Sequence, residues 1–197
     1  MSSSISAADR PKRSLVPLWL VAAVAAFPFV GSLLLYLLGG FDGRVNYGDL
    51  IEPFPAPPEM LRRFDGEPFR LEDLRGKWVL LQVDAGACPA DCQRRLYLQH
   101  QVWKLQGKNM HRVERVWLVD DGVTPDPALV QGGDGLVTVD ARGAALLGRL
   151  PAAAGSVRDH VYLVDPLGNV MLRFPKDLDP VRMKKDLGRL LKASRIG

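Results

Sequence analysis

The sequence predicts an α/β domain behind a single N-terminal membrane-spanning helix. Three observations carry that prediction. No charged residue occurs between Ser14 and Gly40. Beyond that stretch, β-like apolar runs alternate with segments of helical period. The chain's only two cysteines, Cys88 and Cys92, follow directly on the first of those runs, Trp78 to Val83.

The uncharged stretch, Leu15 to Leu38, supplies the roughly 20 apolar residues a spanning helix needs. Trp19 and Tyr36 fall near its two ends, as interfacial aromatics do, and Pro17 and Pro28 are tolerable within it. Arg10, Lys12 and Arg13 precede it. The positive-inside rule keeps that basic flank in the cytoplasm and sends the rest of the chain to the periplasm. A cleaved signal peptide has a shorter apolar core and ends at small residues, and Gly39-Gly40-Phe41-Asp42 is a poor cleavage site. The expected organisation is a basic cytoplasmic tail at 1–14, a transmembrane helix at 15–38 and a Pro/Gly-rich linker at 39–62. One globular domain then occupies 63–197 in this single-pass inner-membrane protein.

The net charge of +4 is modest, and much of the basic excess sits in the N-terminal tail and between Arg182 and Arg195. That distribution speaks for topology and a solvated helix face and against nucleic acid as a partner. The run Pro53-Phe54-Pro55-Ala56-Pro57-Pro58 excludes a central strand or a helix and reads as a stiff spacer. Phe64 to Phe69 predicts a short hairpin or turn, and Leu71 to Lys77 one helical turn stopped by Gly76. Trp78 to Asp84 is the first main strand. A helix opens at Pro89, which needs no N–H there, and runs through Leu96, Leu98, Val102, Trp103 and Leu105 to a stop at Gly107. Val113 to Val119 is a strand, Pro125 to Gly135 a loop or short helix, Leu136 to Val139 a strand and Ala141 to Leu150 a helix. His160 to Asp165 and Val170 to Phe174 form a hairpin around the turn Pro166 to Asn169. Pro180 to Ala193 is an amphipathic helix with Val181, Met183, Leu187, Leu190 and Leu191 inward.

Residues four apart share a helical face, so Cys88 and Cys92 can close a disulfide or grip one soft metal ion. A structural zinc site is excluded, because it wants four ligands and no second cysteine or Cys/His pair exists in the chain. A purely structural disulfide would remove little chain entropy across so short a loop.

Strand, thiols, helix, strand, helix, hairpin and final helix is the element order of a thioredoxin-like domain. Together with "LRGKWVLLQVDAGACPADC", "VERVWLVDD", "VYLVDPLGNVMLRF" and the N-terminal anchor, it resembles the SCO/SenC family over Leu71 to Leu191. The resemblance implies a membrane-anchored assembly factor for cytochrome c oxidase. It further implies copper bound through Cys88 and Cys92, thiol chemistry, and the oxidase's copper-binding subunit as partner. The match is incomplete: Ala87 and Gln93 depart from the motif. The family's third copper ligand lies five residues before the tyrosine of this strand, where this chain has Val157. His160, two residues before Tyr162, takes a position that in thioredoxins faces the thiols, and so becomes the candidate third ligand.

Cu(I) prefers thiolates, and two cysteines with an imidazole suit it, whereas two thiolates alone hold it more exchangeably. Thiol–disulfide exchange needs a sulfur that is partly thiolate, which a helix N-terminus favours. Cys88 is then the attacking catalytic cysteine and Cys92 the resolving one, with Asp91 opposing thiolate formation at Cys92. His100 lies two turns beyond Cys92, too far to share a metal; His111 with Met110 reads as surface, Met171 as core and Asp120-Asp121 as a solvated turn. Oxidase assembly through thiol exchange, with copper delivery as a second task, leads the functional readings. A general membrane-tethered thiol–disulfide oxidoreductase and an interaction module with a permanent disulfide are the alternatives.

Overall fold

A computed structural model of the chain describes residues 16–37, 46–131, 135–153, 155–194 and 196. The expected basic tail, with Arg10, Lys12 and Arg13, and the linker residues 39–45 lie outside the described residues. The chain divides into two compact units, Met1–Arg44 and Val45–Gly197.

In the first unit, α1 (Val16–Leu37) is a 22-residue helix with Pro28 inside it, long and apolar enough to cross a membrane. Its aromatics Trp19 and Tyr36 are exposed.

The second unit is one eight-stranded sheet. In chain order it comprises β1 (Asp49–Pro55), β2 (Leu61–Arg63), β3 (Pro68–Phe69), β4 (Trp78–Asp84), α2 (Ala90–Lys104), β5 (Val113–Val119), α3 (Pro127–Gln131), β6 (Leu136–Asp140), β7 (Val161–Val164), β8 (Asn169–Phe174) and α4 (Pro180–Ala193). The strand order across the sheet is β1-β8-β7-β4-β5-β6-β2-β3. β4 pairs in parallel with β5 and antiparallel with β7, so the strand that leads to the cysteines is central and buried throughout.

Period-2 alternation sends successive β4 side chains to opposite faces. Trp78 and Leu80 join Val161, Leu163, Leu172 and Phe174 against Met183, Leu187 and Leu191 of α4 and Val102 of α2. Val79, Leu81 and Val83 pack on the other face with Val116, Leu118 and Tyr162, beneath Leu71, Ala144, Leu146 and Leu150.

The proline-rich segment expected as a spacer is a correction. From Asp49 to Pro55 it forms the sheet's outer strand, paired with β8 through Leu50 opposite Leu172 and Phe54 opposite Val170, with an irregularity between them. An edge position leaves one side of the strand without ladder bonds, which is where Pro53 and Pro55 fit. Gly48 lies so close to Leu172 that a Cβ would stand 2.3 Å from its Cδ2.

The helix expected from Ala141 to Leu150 is likewise corrected. It is a series of turns with one 3₁₀ turn at Leu147–Arg149, because Gly143 takes φ +71° and breaks the run. The Glu59 carboxylate accepts from the Ala145 and Leu146 amides at 2.8 and 3.1 Å instead. The strands at Trp78, Val113 and Leu136, the helix from Ala90 and the final helix from Pro180 fall where the sequence pattern places them.

Candidate functional site

The loop from Ala85 to Pro89 joins the central strand to α2 and delivers Cys88 at its end. Gly86 makes this path possible, since a Cβ there would lie 1.8 Å from the Val123 carbonyl oxygen. Its amide donates to Asp121 Oδ1 at 3.0 Å, and Val123 N donates to the same oxygen at 3.0 Å. Those bonds, the Gly86 amide foremost, hold the Asp121 carboxyl below its ordinary pKa. Asp121 therefore clamps the cysteine loop. Its neighbour Asp120 accepts two bonds from Arg158, both 2.8 Å. The Asp120-Asp121 pair thus does more than end a strand in solvent.

Cys88 and Cys92 form a disulfide with Cα atoms 5.1 Å apart. Cys88 sits in the left-handed region at φ 42°, a conformation that costs a non-glycine residue about 1–2 kcal/mol. Its amide donates to Ala85 O, and Gln93 Nε2 donates to its carbonyl, both at 3.0 Å. Pro89 occupies the N-cap of α2, placing Cys92 in the helix's first turn. Both cysteines are buried, at 1% and 0% exposure, in a cluster with Leu96, Trp117 and Val119, against which Phe64, Leu129 and Leu136 pack.

A buried polar network lies beside this cluster. Gln82 Nε2 is 3.5 Å from Cys92 Sγ, 3.4 Å from Cys92 O and 3.5 Å from Asp84 Oδ2. Gln82 Oε1 accepts a short bond from Gln99 Nε2. Asp84 pairs with Arg95 at 2.6 Å, both buried. Burial nevertheless pushes the Asp84 carboxyl above its ordinary pKa, against the lowering by Arg95. Sequence reasoning passed over all four residues. The available signal was polar side chains at alternate positions of an otherwise apolar strand, Gln82 and Asp84. On α2, Arg95 and Gln99 share the helical face of Cys92 and Leu96.

His160 does not join the sulfurs. Its Nδ1 lies 3.0 Å from Phe174 O and its Nε2 3.0 Å from Ala152 O, so both ring nitrogens face backbone carbonyls. The ring meets Tyr162 edge-on at 6.2 Å. By strand alternation it shares the face of Tyr162, whereas Cys92 contacts Gln82 on the other. Val157 packs against the core on the Tyr162 side. Among the described residues, no group of three or more His, Cys, Asp or Glu side chains is arranged to hold a metal ion. Of the three residues expected to hold a metal, the structure brings together only Cys88 and Cys92, joined as a disulfide. His111 is exposed, and Met171 packs against the α4 core.

A family model described as the transmembrane-like, thioredoxin-like, C-terminal domain matches residues 78–194. No curated protein matches the sequence. Among solved structures, yeast Sco1 with copper bound superposes with a TM-score of 0.61 at 14% identity, covering 73% of this chain and 96% of that one. Bradyrhizobium japonicum ScoI with copper bound gives 0.55 at 21% identity, over 69% and 99%. BsSco is described by its disulfide switch and as a member of the Sco family of cytochrome c oxidase assembly proteins. It gives 0.53 at 17% identity, over 72% and 95%. These likenesses establish a shared thioredoxin-like fold.

Proposed function

Since the chain belongs to the transmembrane-like, thioredoxin-like, C-terminal domain family, we propose that it is a membrane-anchored thiol–disulfide exchange factor serving cytochrome c oxidase assembly. Cys88 and Cys92 are its catalytic pair, and the oxidase's copper-binding subunit is its partner. The single observation that carries the reading is the Cys88–Cys92 disulfide at the start of α2, at the end of the sheet's central strand.

A partner thiolate attacks Cys88 Sγ and forms a mixed disulfide. The Cys88–Cys92 bond breaks and its electron pair leaves on Cys92 Sγ. A second partner thiolate then attacks the partner sulfur of the mixed disulfide, and Cys88 Sγ leaves with the electron pair, so the partner ends oxidised and Cys88 and Cys92 reduced; the reverse sequence delivers reduction. Because both cysteines are buried, at 1% and 0% exposure, exchange demands that the residues packed around them move aside.

Copper delivery is the second reading, and the copper-bound Sco structures that share this fold favour it. The donor set here does not fit a three-ligand site, because His160 faces two carbonyls. The basic flank Arg10, Lys12 and Arg13 supports a cytoplasmic N-terminus and a periplasmic thiol domain.

Deleting the protein from its host should lower assembled cytochrome c oxidase activity. Wild type should restore that activity, and a membrane-inserted Cys88→Ser/Cys92→Ser chain should not. Unchanged oxidase on deletion, or full rescue by the double variant, would overturn the proposal.

A further inference from the structure

We propose that Gln82 is a catalytic residue of the exchange: its side-chain amide receives the Cys92 thiolate as the disulfide opens. The inference deepens the exchange reading above and rests on it. When a thiolate attacks Cys88 Sγ, the electron pair of the broken bond arrives on Cys92 Sγ, a sulfur with 0% residue exposure and hence no water to meet it. Gln82 Nε2 stands 3.5 Å from that sulfur.

The direction of the amide is set by its surroundings. Gln82 Oε1 accepts from Gln99 Nε2, so the nitrogen must turn toward Cys92 and Asp84. Gln82 and Gln99 are buried at 0% and 1% exposure, which keeps this arrangement from being exchanged for solvent. In the disulfide form the two amide hydrogens are shared among three long contacts, to Cys92 Sγ, Cys92 O and Asp84 Oδ2. Once the sulfur carries a full charge it becomes a far better acceptor, and a bond to a charged group is worth about twice a neutral one. The interaction therefore strengthens as charge develops, which is what accelerates a step. Arg95, paired with Asp84 at 2.6 Å, offsets the carboxylate that would otherwise oppose the new thiolate. An amide has the further property of donating at every pH, where a carboxyl at the same place would not.

The test is the rate at which dithiothreitol reduces the oxidised full-length chain at neutral pH, followed by thiol trapping. Gln82→Met keeps length and volume but has no N–H. It should slow reduction about tenfold, the effect of losing one hydrogen bond to a charged group. Gln99→Met, which leaves Gln82 in place without the donor that orients it, should slow reduction by a smaller factor. A merely structural role predicts the opposite sign, since loosening the fold around a buried disulfide exposes it and speeds its reduction. If wild type reacts and Gln82→Met reacts as fast or faster, the role of Gln82 is overturned and exchange stands. If the wild-type disulfide resists reduction until the chain unfolds, the exchange reading fails and takes this one with it. Should Gln82→Met not fold, an unchanged rate in Gln99→Met overturns the assignment.

Discussion

Single residues decide what the cysteine pair can do. His160 was the third ligand expected from its position two residues before Tyr162. Its two nitrogens instead face the Ala152 and Phe174 carbonyls, 3.0 Å from each. Sequence spacing could place it beside the right strand but could not show which face it takes, nor that two carbonyls would claim it. The same face carries Tyr162, whose hydroxyl donates to Pro151 O at 3.0 Å. Burial raises its pKa to about 12. A folded-state value above the unfolded one, about 10, means that its contribution is complete below pH about 10 and is lost as pH rises toward about 12. Denaturant unfolding across that window should show falling stability, with a shallower fall in Tyr162→Phe. An equally steep fall in that variant would assign the loss to other groups.

At the level of elements, the N-terminal edge of the sheet was the least legible part. Gly43, Gly48 and the four prolines from Pro53 to Pro58 signalled a spacer, and local composition indeed forbids a central strand there. The bonds that recruit the segment come from far along the chain. Asp186 Oδ2 of α4 accepts from Tyr47 N and Gly48 N at 2.6 and 3.0 Å, and Tyr47 Oη donates to Asp177 O at 2.6 Å. No window of sequence contains both partners. Asp186 is buried at 3% exposure, so Asp186→Ala leaves two backbone donors without their acceptor. It should cost about 2–3 kcal/mol in denaturant unfolding, and Asp186→Asn, which retains an acceptor oxygen, should cost less. A loss under about 0.5 kcal/mol would show that β1 is held by its ladder to β8 alone. By contrast, α4 was legible in all but its first turn: its inward Met183, Leu187 and Leu191 keep helical spacing and Asp179 caps it through the Val181 and Arg182 amides. Val181, expected inward, is 73% exposed, because a residue two before Met183 lies on the opposite side of the helix.

For the molecule as a whole, the fold was readable because element order and hydrophobic period both survive in a chain with little similarity to its structural neighbours. The 22-residue apolar helix α1 and the thioredoxin-like unit after Val45 carry different parts of the proposed task, attachment and exchange. What the order of elements could not convey is that the sulfurs lie sealed beside a buried amide network. That network separates a working redox pair from a structural cross-link only if the disulfide opens while the fold persists. The direct measurement is equilibration of the detergent-solubilised full chain across a series of thiol redox buffers, with the Cys88–Cys92 state read by alkylation and the fold by circular dichroism. The account predicts one reversible two-electron transition with native secondary structure on both sides, absent in Cys88→Ser/Cys92→Ser. A pair that stays oxidised until the chain unfolds would contradict it.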